Sequence, residues 1–120
     1  MSIDSLFSKR YDSTSYNCAD FAAEAWKMIT NQDIAEDLRG FMTTEPPFNW
    51  LRQRNAFERL SRPESPCLVL FRNRIGTPQP HVGIWMDRRV LHLCRRGVEF
   101  MPIECISHGF QAIRFYSCRK

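Results

Sequence analysis

The sequence predicts an α+β domain, with N-terminal helices packed on one face of a C-terminal antiparallel sheet of about five strands. Three observations predict it. Cys18, Phe21, Ala22, Ala25, Trp26 and Ile29 recur at the spacing of one helix face. From Cys67 onward, short apolar or alternating runs are separated by turn residues. Between these two regimes lies a proline-bearing connector, Ser61 to Pro66. The expectation is a single domain over residues 1–120, helical to about 62 and sheet from about 66 to 118. A hydrophobic fraction of 43% is enough for a packed core and argues against disorder.

Residues 1–15 are polar, with Ile3, Leu6 and Phe7 spaced for a short amphipathic turn and Ser13-Thr14-Ser15 as a loop. Asn17 is a favourable N-cap for the main helix, and Asp20 then falls at N3, where a carboxylate meets unpaired N–H groups. Thr30 to Asp33 forms a turn, and Asp33 caps a second helix from Ile34 to about Met42 with Ile34, Leu38 and Phe41 as its apolar positions. Pro46-Pro47 ends it. Trp50 to Leu60 has partial helical spacing and is expected to be a third helix.

Cys67 to Phe71 is a continuous apolar run, the mark of a buried strand. Arg72 to Pro80 is a loop. His81 to Met86 alternates and reads as the second strand. Asp87-Arg88-Arg89 turns the chain into a third strand, Val90 to Cys94. Arg95-Arg96-Gly97 turns it again into Val98 to Ile103, where Pro102 implies a sheet edge. Ile106 to Phe110 is a short helix or loop, and Ala112 to Tyr116 closes an antiparallel meander.

The net charge of +4 comes mostly from scattered arginines, and the aromatics look committed to the core. That pattern suits solubility better than nucleic-acid binding. The five cysteines are odd in number and irregularly spaced, which speaks against a zinc cluster or a disulfide framework. No cofactor or metal is indicated. The first residues lack a signal-peptide h-region, and no run reaches membrane-spanning length. The expectation is synthesis in the cytoplasm, no membrane partner, and delivery by another machine if the protein acts outside.

Cys18 stands at N1 of the main helix, where unpaired N–H groups favour a thiolate, so its pKa is expected to fall. A nucleophilic thiol needs a base, and the base needs a third group to hold its tautomer. The histidines available are His81, His92 and His108. With the hairpin turn centred on Arg88, position 81 pairs near 95, and His92 lies diagonally inward on the neighbouring strand, within imidazole reach. His81 is thus the expected base and His92 its orienter. Tyr11 and Tyr16, shortly before the cysteine, either reach the site as substrate contacts or pack with a wet hydroxyl, and Asp20, just after the cysteine, is an expected substrate or oxyanion contact.

Asn-Cys18-Ala-Asp-Phe opening a helix, Leu-Val-Leu-Phe71, His81-Val-Gly-Ile-Trp-Met, Val-Leu-His92-Leu and Gly97-Val together resemble the NlpC-type, papain-fold cysteine peptidases of bacterial cell-wall metabolism. The resemblance spans roughly residues 11–116. It implies a papain-like fold and hydrolysis of an amide in a peptidoglycan stem peptide by Cys18, His81 and His92. The bond it implies is the one from γ-D-glutamyl to the diamino acid. It implies no cofactor. This chain has Asn-Cys18-Ala-Asp where the family usually has Asp-Cys-Ser-Gly, and Ser65-Pro66-Cys67 where it usually has Gly-Asp. Small members of this kind are similar to phage tail-associated peptidases and interbacterial amidase effectors, whose partners are tail or secretion-machine proteins. Two alternatives remain at this point: a non-catalytic tail-assembly or tail-tip protein that keeps the fold, and an acyltransferase using the same trio.

Overall fold

The computed structural model describes residues 4–43, 56–72, 80–106, 110 and 112–118. Among these, two α-helices pack against a six-stranded antiparallel sheet. Helix α1 is Cys18–Thr30 and α2 is Ala35–Thr43. The strands are β1 (Phe57–Leu60), β2 (Cys67–Arg72), β3 (His81–Met86), β4 (Arg89–Cys94), β5 (Gly97–Pro102) and β6 (Ala112–Cys118). Short 3₁₀ turns occupy Asp4–Ser8 and Ile103–Cys105. No described helix is long and apolar enough to cross a membrane.

Helix α1 begins where its cap dictates. The Asn17 side chain accepts from the Ala19 and Asp20 N–H groups, and Asp20 accepts in return from the Asn17 N–H, forming a closed capping box. It ends at Asn31, whose φ of 64° is the left-handed conformation that asparagine tolerates. One face buries Phe21, Ala22, Ala25 and Trp26. That face meets Leu68 and Leu70 of β2, Val82 and Ile84 of β3, and Leu91 and Leu93 of β4. These pairs are every second residue of their strands, so they share one side of the sheet. Asp33 caps α2 by accepting from the Ala35 N–H, and buried Ile34 and Leu38 add to the same core. The far side of the sheet buries Val69, Phe71 and Val90 with Ile106.

Three expectations change. Phe57–Leu60, placed by local spacing inside a third helix, is strand β1, paired with β6 from Phe57 opposite Cys118 to Leu60 opposite Phe115. Residues 50–55 of that expected helix lie outside the described residues. The cause is non-local: β6 offers an unpaired edge, and Phe57 buries itself against Phe41, which also packs on Tyr116. The sheet is also no simple meander. Its order is β1-β6-β2-β3-β4-β5: β6 returns between β1 and β2, and β1 is the strand that raises the expected five to six. Pro102 does end an edge strand, β5. Finally, the β3–β4 turn has two residues, Asp87 and Arg88, at φ 53° and 65°, and Arg89 already pairs with Met86. Positive φ at both central positions is the I′ geometry that matches strand twist.

Burial pushes the Cys67 thiol up to about 11 and the Cys118 thiol up to about 12. The folded chain keeps these protons at a pH where the unfolded chain loses them. The stabilisation is whole below the ordinary thiol value of 9.0 and is lost as pH climbs through the folded values. The thermal midpoint should therefore fall between about pH 8 and about pH 11, and less steeply in Cys67→Ala. Parallel profiles for the two proteins would contradict this origin.

Candidate active site

The site assembles where β3 begins. His81 stands directly opposite Phe71 of β2, so the two share the sheet face turned away from α1. The rings of Phe71 and Phe110 flank it, at centroid distances of 5.9 and 6.3 Å. On β4, His92 is 4% exposed. Its Nδ1 lies 2.8 Å from His81 Nε2, with the rings edge to face. Burial is the main influence on His92 and lowers its pKa below the ordinary imidazole value, against the opposing pull of Glu99. His92 is thus a neutral imidazole at neutral pH.

Gly83 makes this approach possible. The β3–β4 ladder runs from Met86 opposite Arg89 to Ile84 opposite Leu91, and Gly83 follows. A Cβ there would lie 2.8 Å from Val90 Cγ1, 2.9 Å from the Leu91 carbonyl oxygen and 3.0 Å from His92 Cβ. The Leu91 oxygen belongs to backbone and cannot swing aside. Gly83→Ala should therefore cost about 1–3 kcal/mol of stability and shift His92 away from His81. Chemical denaturation checks the first effect, and the ring chemical shifts of the two histidines check the second. A variant with unchanged stability and unchanged shifts would contradict the packing argument.

Cys18 is half-buried at the first turn of α1. Its sulfur faces the backbone N–H groups of Val82, Ala19 and Cys18 itself, all of which favour the thiolate. Burial nevertheless outweighs them, and Asp20 adds to it, so the thiol pKa is raised rather than lowered. This corrects the expectation drawn from the N1 position. Helix-end N–H groups act as supposed, but desolvation of the sulfur is larger. The Val82 contact brings the thiol to the residue next to His81. Strand N–H groups lie in the plane of the sheet, between the face that carries α1 and the face that carries the two imidazoles.

The remaining expected site residues sit as follows. Asp20 is tied into the capping box through Oδ2, with Arg39 Nη2 3.9 Å from its other oxygen. The Tyr16 hydroxyl donates to Glu24, which also pairs with Lys9 at 2.8 Å. Burial and the neighbouring carboxylate raise the Tyr16 pKa, so it stays a phenol. Tyr11 lines a cleft of about 560 Å³ with Phe7, Lys9, Arg10, Arg95 and Arg96. His108 lies outside the described residues.

Two residues not singled out from sequence complete the arrangement. Glu99 of β5 is directly opposite His92, with Oε1 3.3 Å from His92 Nε2. The contact is electrostatic rather than a well-aligned hydrogen bond: among the described residues, this buried nitrogen meets no partner in hydrogen-bond geometry. Arg96 Nη2 in turn holds Glu99 Oε2 at 3.0 Å. A signal for Glu99 existed, because positions 92 and 99 are symmetric about the turn at Arg95-Arg96. Reading that turn as three residues hid it.

His81, His92 and Glu99 thus run in line across three strands. The described residues hold no group of three His, Cys, Asp or Glu side chains placed to share a metal ion. At its His81 end the line adjoins Val82, the residue whose N–H faces the Cys18 sulfur. No protein-family model matches this chain, and no curated protein does either.

Proposed function

We propose that this protein is a papain-like cysteine hydrolase cleaving an amide bond in peptidoglycan stem peptides. The observation that supports it most is the 2.8 Å contact between His81 Nε2 and His92 Nδ1 on the strand whose Val82 N–H faces the Cys18 sulfur. With Nε2 turned to His92, Nδ1 is the His81 nitrogen that this mechanism assigns to the thiol. A thiol held protonated by burial gains most from a base that acts at the moment of attack.

In this reading His81 Nδ1 takes the Cys18 proton as the sulfur bonds to the amide carbonyl carbon. The carbonyl π electrons move to oxygen, where the Cys18 N–H at the helix start is one stabilising donor. When the tetrahedral species collapses, the C–N bond breaks and His81 returns the proton to the leaving amine. Water, activated by the same imidazole, then hydrolyses the thioester. The peptidoglycan assignment and the tail- or machine-borne delivery rest on the sequence resemblance. The test is mass spectrometry of purified sacculi digested with the protein. The expected result is a new amine on the diamino acid and a new carboxyl on the glutamyl residue. Sacculi that yield no new termini would remove this substrate.

A binding-only role in a tail assembly has one observation in its favour, the raised pKa of the Cys18 thiol. It predicts a sulfur that responds to no change at His81.

A further inference from the structure

We propose that Glu99 is a positioning residue that sets the tautomers of both imidazoles and so leaves His81 Nδ1 as the proton acceptor. The inference rests on the hydrolase reading for its consequence in catalysis, but not for its geometry. His92 is almost wholly buried, and its Nε2 faces the Glu99 carboxylate at 3.3 Å. An ionised carboxylate only accepts. A neutral His92 therefore places its one proton on Nε2, toward that charge, and presents a lone pair at Nδ1. The 2.8 Å contact then obliges His81 to donate from Nε2. A neutral His81 donating from Nε2 carries its lone pair at Nδ1.

The opposite polarity is electrostatically worse. A proton on His92 Nδ1 would turn the Nε2 lone pair toward a carboxylate oxygen, with His92 itself almost wholly buried and little water between them to weaken the repulsion. It would also force the His81 proton onto Nδ1, where it could only donate. The backbone sets the Glu99 position, because Glu99 and His92 are directly paired in the β4–β5 register. Arg96 aims the carboxylate, with Nη2 3.0 Å from Oε2 and 3.4 Å from Oε1. The Arg96 side chain is 80% exposed, so it orients Glu99 more than it stabilises the fold. Glu99 touches neither thiol nor substrate in this scheme and acts through His92 alone.

Long-range ¹H–¹⁵N correlation of the histidine rings tests this without any substrate. In the wild-type protein both His81 and His92 should show the proton on Nε2. A proton on Nδ1 of either ring would overturn the proposal, and this measurement needs no variant to fold. Glu99→Gln keeps an acceptor oxygen and should keep both tautomers. Glu99→Ala should redistribute them and slow Cys18 alkylation by iodoacetamide at neutral pH by at least about tenfold. A merely structural pair across β4 and β5 would move the melting temperature and leave the tautomers as they were, which also overturns it. Redistributed tautomers in a protein that leaves sacculi intact would support the Glu99 role while removing the peptidoglycan reading. Unchanged tautomers in a protein that cleaves sacculi would do the reverse.

Discussion

Cys18→Ala is expected to lower stem-peptide hydrolysis by on the order of 10⁴-fold or more, because the attacking atom is gone and the oxyanion contacts alone retain little of the rate. The fold should survive. Cys18 is only half-buried, and its backbone, which begins α1, is held by Asn17 and Asp20 rather than by its own sulfur. Removing one sulfur from a partly buried site costs at most about 1–2 kcal/mol. Activity assay and thermal melt together check both halves. A variant that melts as wild type and still hydrolyses at the wild-type rate would end the nucleophile assignment.

His81→Ala should lower hydrolysis at neutral pH by about 10²- to 10⁴-fold, the usual range for a lost general base. The pH profile makes this prediction sharper. Burial raises the Cys18 pKa, so at neutral pH the resting thiolate fraction is below that of an ordinary cysteine. Without the imidazole, the reaction must wait for the thiol to ionise by itself. The variant's rate should therefore climb with pH well past the ordinary thiol value of 9.0, where the wild-type rate has levelled off. Had the helix end lowered the thiol pKa instead, the variant would plateau near neutrality. Profiles of the two proteins that rise and level together would contradict a base at position 81.

What the sequence revealed and what it hid divide along a physical line. Helix α1 was legible because its cap, its apolar face and its start all lie within fourteen residues, Asn17 to Thr30, and agree. Strands β2 to β5 were legible within a residue or two, because alternation and turn residues are local signals. Strand β1 was not. Phe57–Leu60 is four residues long, and what makes it a strand is the edge of β6, far along the chain. The place of β6 between β1 and β2 was hidden for the same reason.

The site shows the same division. His81 and His92 were expected to meet diagonally across a hairpin, and they do, at 2.8 Å. The register expected around Arg88 was off by one, because Asp87 and Arg88 form a two-residue turn without the glycine or asparagine that usually announces one. The direction of the Cys18 pKa was not legible. A helix position can be counted from sequence, but the desolvation that outweighs it depends on how closely β3 packs over the sulfur.

The central claim is that an imidazole of the sheet activates the thiol that begins α1. Competitive alkylation tests it most directly: a limiting dose of iodoacetamide at neutral pH, with the modified cysteines quantified by peptide mass spectrometry. Cys105 is exposed and serves as the internal reference. Half-buried Cys18 should be modified faster than Cys105 in the wild-type protein, and His81→Ala should reverse that order. A Cys18 that lags behind Cys105 in the wild type, at a rate His81→Ala leaves unchanged, would contradict the account.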